Sequence, residues 1–273
     1  MKREEIKIGV LRVGGTNCDA ETSRSFKELG VQSEVVHVNE LISHRRRVLE
    51  YDSLVFPGGF SYGDYVRAGA IWAKWLVAKI GKELETFVKD QRPILGICNG
   101  FQVLVEAGLL PAFEGITLYP EAALATNHPP GYNCRWINLR HDSRGKCAFT
   151  WKIPNGKLLR MPVAHGEGRF IFARGREKQN LEKLYENDQL VFRYCTDDGK
   201  YAQGDFPTNP NGSFHDIAGV CNPEGTVFGL MPHPERAFYW WQKPEWTRQE
   251  EVSQSGDGKL VFESLVAYLE KKA

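Results

Sequence analysis

The chain of 273 residues sets 35 Lys and Arg against 34 Asp and Glu, a formal net charge of +1, and is 42% hydrophobic and 25% charged. This balance supports a packed core, excludes a disordered chain, and provides no global positive field to draw nucleic acid or an anionic membrane surface. The first residues, Met1-Lys2-Arg3-Glu4-Glu5, carry no apolar leader, and no run approaches the roughly 18 apolar residues of a membrane helix; a cytoplasmic protein is expected.

Residues 6–11 read as a strand closed by Gly14-Gly15, residues 19–29 as an amphipathic helix stopped by Gly30, and 31–38 as a second strand. A helix over 41–51, a short apolar strand over 53–56 ended by Pro57-Gly58-Gly59, a helix over 71–90, a buried strand over 93–97 and a helix over 99–107 follow. The alternation predicts a parallel sheet with helices on both faces. Residues 115–206 change character and predict antiparallel strands added to the same domain, before one more core strand at 226–231 and a closing helix at 260–269. No repeat or low-complexity linker divides the chain, so one domain over 1–273 is expected, with a surface insertion at about 239–258.

Six cysteines stand at 18, 98, 134, 147, 195 and 221, with no Cys-x-x-Cys pair; they read as reduced thiols. Cys98 alone has a chemical frame, Gly96-Ile97-Cys98-Asn99-Gly100, between a strand-like and a helix-like run. Such a turn exposes a nucleophile on strained backbone and sets the dipole of the following helix behind its sulfur. On the frame alone, Cys98 is a nucleophile or a small buried residue at a strand end. The other five cysteines read as structural. An oxyanion would take the N–H of Asn99 and one from the glycine turn after an earlier strand, where Gly59 is the better placed donor; that turn also reads as an ordinary tight loop. Residues 61–70 read as a wall of the pocket.

A nucleophilic thiol needs a base, and two histidines lie in His-x-Glu pairs: His165-Gly166-Glu167 and His233-Pro234-Glu235. Pro234 keeps His233 out of the helical region and fixes the geometry between His233 and Glu235, which favours this pair as base and orienting acid. His165 sits in a glycine-flanked segment read as a loop, suited to backbone contacts with a ligand. Metal is not expected, since there is no His-Glu-x-x-His and no compact Cys/His cluster. Neither a P-loop nor a dinucleotide fingerprint is present, so no cofactor is expected in this chain.

The Cys98 elbow, the Gly58-Gly59 loop and His233-Pro234-Glu235 together resemble the class I glutamine amidotransferases. Asn17-Cys18-Asp19, Phe56 to Asp64, Arg67-Ala68-Gly69-Ala70, Gly96 to Gln102, Pro162 to Gly168, Asn209 to Ser213 and Gly229 to Ala237 resemble, within them, the glutaminase subunits of phosphoribosylformylglycinamidine synthase. Arg12 to Thr16 and Thr126 to Tyr132 depart from that family's pattern. The resemblance implies a flavodoxin-like α/β sheet, mostly parallel with added antiparallel strands. It implies Cys98 as nucleophile, His233 as base, Glu235 as orienting acid, Gly59 and Asn99 as the oxyanion hole, and Gly58, Gln102, His165 and Gly166 as substrate contacts. It further implies glutamine as substrate, a large synthetase partner carrying ATP and magnesium, and a small third subunit. A stand-alone cysteine hydrolase of γ-glutamyl substrates is the alternative. The aromatics from Phe238 to Trp246 read either as a partner-binding patch or as core cover.

Overall fold

The computed structural model describes residues 1–248 and 255–272. Its elements in chain order are β1 (Lys7–Arg12), α1 (Asp19–Lys27), β2 (Gln32–His37), α2 (Val38–Ile42), β3 (Ser53–Phe56), α3 (Ala70–Lys89), β4 (Ile94–Ile97), α4 (Asn99–Glu106), β5 (Ala122–Ala125), β6 (Asn133–His141), β7 (Leu158–His165), β8 (Arg169–Phe172), α5 (Glu177–Glu186), β9 (Leu190–Cys195), β10 (Ile217–Cys221), β11 (Val227–Leu230) and α6 (Lys259–Lys272). Nine strands form one sheet in the order β2-β1-β3-β4-β11-β10-β9-β6-β7, and β5 pairs with β8 in a separate ribbon. Pairing is parallel from β2 through β11 and antiparallel from β11 through β7. No helix among the described residues is long and apolar enough to cross a membrane.

At the centre of the parallel half, β3, β4 and β11 are buried along their whole length. Such strands require cover on both sides. The connection from β1 to β2 runs one way along the sheet and that from β3 to β4 the other, so right-handed crossovers place their helices on opposite faces. α1 packs on α6, with Phe26 and Phe262 edge to face at 5.0 Å, while α3 packs on α4. The strand order reverses between β1 and β3, and sheets of this kind place their chemistry at the carboxyl ends of the strands near such a point.

Two expectations are corrected. The helix expected over 41–51 reduces to α2 and a 3₁₀ turn at Val48–Glu50, with His44 in the left-handed region between them. Arg45, Arg46 and Arg47 are exposed and supply no apolar stripe to hold a longer helix on the sheet. Within the stretch expected to hold only strands, residues 177–186 form α5, which buries Leu184 and Asn180. Strand β10, which lies in none of the expected elements, is entirely buried and joins the two halves of the sheet.

The expected insertion at 239–258 falls partly outside the described residues. Its described ends are tied down: Gly256 N–H donates to Phe238 O (2.8 Å), Gly258 N–H to Ala237 O (2.8 Å), and Lys243 pairs with Asp257 (3.1 Å). Phe238 is buried against Phe262, whereas Trp241 and Trp246 remain about half exposed. The aromatic run is therefore core cover at its start and surface at its end.

Candidate active site

The site forms where β4, β11 and the free edge of β7 converge. At the end of β4 the chain turns at Cys98 with φ 50° and ψ −104°, a region that costs a side-chain-bearing residue about 1–3 kcal/mol. The cost is met by packing: Phe101, Val103, Leu104 and Val105 of α4 are fully buried, each contributing roughly 1.5–3 kcal/mol. The Cys98 N–H donates to Leu230 O (2.8 Å), which ties the elbow to the end of β11. Gly96 and Gly100 are required by contact. A Cβ on Gly100 would lie 1.8 Å from Phe56 O, and one on Gly96 would lie 2.7 Å from Gly100 O. Asn99 opens α4, so its N–H has no carbonyl one turn back and is available beside the sulfur.

The second expected donor, Gly59, lies in the loop after β3 with φ 149°. A Cβ there would strike Asn17 N at 2.7 Å and Gly15 O at 2.8 Å, because this loop is laced to the one after β1. Asn17 and Cys18 N–H both donate to Gly58 O (3.2 and 3.1 Å), and Phe60 N–H donates to Gly15 O (2.8 Å). Gly58 itself packs on the imidazole: a Cβ would sit 2.7 Å from His233 Cε1.

His233 follows β11 in extended backbone, φ −104° and ψ 94°, and its N–H donates to Pro162 O (2.8 Å) on the outer edge of β7. Ala164 O on the same edge lies 3.7 Å from Cys98 Sγ. The last strand of the antiparallel half thus walls the site built by the parallel half. His233 Nδ1 bonds Glu235 Oε1 at 2.5 Å, and both side chains are buried. Burial works against a second proton on His233, but the Glu235 carboxylate, then Cys98 and Cys18, outweigh it and hold the imidazole well above its ordinary value. Among the described residues Nε2 has no hydrogen-bond partner, and it is the nitrogen left for Cys98. The structure brings His233, with Glu235 behind it, together with Cys98.

His165 is placed differently from the expectation. It is the last residue of β7, not part of a loop, and its ring is buried between Asn127 Oδ1 (3.2 Å) and Asn211 Nδ2 (3.5 Å). Burial, then the charge of His233, lowers it to about 3, so it stays neutral. Gly166 remains on the backbone beside it, its carbonyl accepting from Asn127 N–H (2.9 Å). Gln102 is engaged at both ends of its amide, donating to Glu167 O (2.5 Å) and accepting from Asn99 Nδ2 (2.9 Å). Its observed task is to brace the 165–168 segment on α4.

Two groups that carry no individual role in the sequence also stand at the site. Asp64 accepts from Asn99 Nδ2 (3.2 Å), and burial, then the Glu167 charge, raises it to about 6. Cys18, read as a bystander, lies 4.0 Å from His233 Nδ1 and accepts from Arg236 at 3.1 Å. The place of Asn17-Cys18-Asp19 directly after the first strand is the signal that the sequence offers. Cys18, His233 and Glu235 bring three possible metal ligands within 4.8 Å of one another, but Arg236 already sets a cation against that sulfur.

The α/β fold, with a cysteine on a strained elbow after one core strand and a buried His-Glu pair after the next, is that of a glutamine amidotransferase. The chain belongs to the CobB/CobQ-like glutamine amidotransferase domain family, whose model matches residues 5–269. It is 49% identical to the phosphoribosylformylglycinamidine synthase subunit PurQ of Archaeoglobus fulgidus, over 99% of this chain and 100% of that one. The subunit of the same name from Methanothrix thermoacetophila is 40% identical over 98% and 99%. Among solved structures, a chain of PurLQS from Thermotoga maritima matches at 32% identity and a TM-score of 0.72, covering 97% of this chain and 99% of that one. A glutamine amidotransferase from Thermotoga maritima, 17% identical with a TM-score of 0.52, shares the fold.

Proposed function

We propose that Cys98 is the nucleophile, His233 the proton carrier and Glu235 its orienting acid in the hydrolysis of the side-chain amide of glutamine. The observation that carries this is the juxtaposition of Cys98, in its strained turn at the start of α4, with a buried His233 whose Nδ1 is committed to Glu235 and whose Nε2 is free. The thiolate attacks the amide carbon, and the oxyanion is taken by the N–H groups of Asn99 and Gly59. His233 gives its proton to the departing nitrogen, ammonia leaves, and a glutamyl thioester remains on Cys98. Water, deprotonated by His233, then releases glutamate and restores the thiol. Gly58 and Gly166 contribute backbone to the substrate wall, with Gln102 and His165 holding that wall in place.

The chain is the glutaminase subunit of phosphoribosylformylglycinamidine synthase and acts in purine biosynthesis. It supplies ammonia to a large synthetase partner that converts formylglycinamide ribotide to formylglycinamidine ribotide, in an assembly with a small third subunit. We place ATP and magnesium on that partner and none in this chain, which we read as one cytoplasmic glutaminase domain with an added segment near its end. Acid quenching of the assembled complex during turnover with glutamine, followed by mass spectrometry, tests the chemistry: a glutamyl adduct on Cys98 is expected, and an adduct elsewhere or none at all contradicts it. Rapid hydrolysis of γ-glutamyl peptides by the isolated chain, with no gain from a synthetase, would favour the stand-alone hydrolase instead.

A further inference from the structure

The catalytic imidazole has a second sulfur on its other side. Cys18, at the junction of β1 and α1, is 2% exposed and turns inward, with Sγ 4.0 Å from His233 Nδ1. Its position is fixed from three directions. Its N–H is held by Gly58 O (3.1 Å) and its carbonyl accepts from Thr22 Oγ1 (2.6 Å). Its sulfur accepts from Arg236 Nη2 at 3.1 Å, and Arg236 Nε is held in turn by Glu21 Oε1 at 2.9 Å. No slack remains between Gly58, Cys18 and the ring: a single added carbon on Gly58 would meet His233 Cε1 at 2.7 Å and Cys18 Sγ at 3.1 Å.

We propose that Cys18, anchored by Arg236, is a positioning residue for the catalytic histidine: it blocks rotation of the imidazole on its Nδ1 side and so keeps Nε2 directed at Cys98. This rests on the reading of Cys98 and His233 given above. The His233–Glu235 bond fixes one atom of the ring, which by itself permits the imidazole to tilt about that contact; a bulky, polarizable group packed against the same edge removes the tilt. A neutral sulfur suits the task, since a second thiolate would compete with Cys98 for the imidazolium charge. Burial pushes the Cys18 thiol up to about 12, which keeps it protonated.

The test uses the assembled complex and the variants Cys18→Ala and Cys18→Ser, reading glutaminase kcat and KM, the rate at which a glutamine-like diazoketone alkylates Cys98, and thermal unfolding. In Cys18→Ala, kcat and the alkylation rate should fall together by about tenfold, with KM for glutamine within twofold. Cys18→Ser keeps a polar atom for Arg236 and should recover most of the loss. Unchanged kcat and alkylation in Cys18→Ala would overturn the proposal. So would equal losses in both variants that track a lowered unfolding temperature, because that pattern marks a structural role. Should Cys18→Ala fail to fold, Arg236→Gln, which frees the sulfur without emptying its site, must slow alkylation without changing KM; a wild-type rate there also overturns it. Failure of the underlying reading is separately visible, as the wild type would then not be alkylated at Cys98 at all.

Discussion

The two halves of the sheet contribute to the site in opposite ways. On the proposed function the parallel half delivers the chemistry from strand ends: Cys98 is the single residue between β4 and α4, while His233 and Gly59 follow β11 and β3 in short loops. The antiparallel half delivers no reacting side chain. It returns its edge strand β7 to the site, where Pro162 O holds the His233 backbone and Ala164 O faces the sulfur, and it locks that edge with the buried Asn127, His165 and Asn211. On that reading, reactivity lies with one half and much of the positioning with the other. Changes in the parallel half should act on kcat or forbid folding, while changes in the antiparallel half should act on stability first and activity second.

The largest effect expected, apart from removal of the nucleophile, is at Glu235. Glu235→Gln should reduce kcat by roughly 10²–10⁴ with a folded chain, because the base loses its orienting charge. Steady-state glutaminase rates with the synthetase present would show this, and a loss below tenfold would shift the orienting role to another group. Gly100→Ala is the structural counterpart in the same half. With Phe56 O only 1.8 Å from the new carbon, it should destabilise by more than about 3 kcal/mol, read by denaturant unfolding or as insoluble protein. In the antiparallel half, Asn211→Ala strips partners from Gly168 O, Tyr194 Oη and Ser213 N–H. It should cost about 1–3 kcal/mol of stability and only a few-fold in kcat.

The smallest effect is a pH dependence at the seam of the two halves. Asp64 is raised to about 6 in the fold against about 4 in the unfolded chain, so ionising it destabilises the native state. The favourable contribution of its protonated form is complete below pH about 4 and lost as pH rises through about 6. Asp64→Asn should therefore match the wild type in unfolding temperature near pH 4 and exceed it above pH 6. A gain that instead grows toward low pH would show the opposite shift.

The same division explains what was legible in the amino-acid sequence. Gly96-Ile97-Cys98-Asn99-Gly100 and His233-Pro234-Glu235 impose their geometry locally, through small residues and a proline, and could be read without knowing the fold. The strand Ser53–Phe56 and the helix Ala70–Lys89 were likewise set by short apolar runs and helical spacing. Residues 177–186 were lost among neighbouring strand-like segments, although Leu181 and Leu184 have helical spacing. The neutral, pinned state of His165 depends on Asn127 and Asn211, 38 and 46 residues away, and the approach of Cys18 to His233 spans 215 residues. Contacts at that separation leave no local period to detect.

On the proposed function, Cys98 draws ammonia from glutamine for use by a partner. The most direct measurement compares glutamine-dependent and ammonia-dependent product formation by the assembled complex carrying Cys98→Ala. Loss of glutamine-dependent synthesis is expected, with ammonia-dependent synthesis preserved at the wild-type rate. Retention of glutamine-dependent synthesis would contradict it.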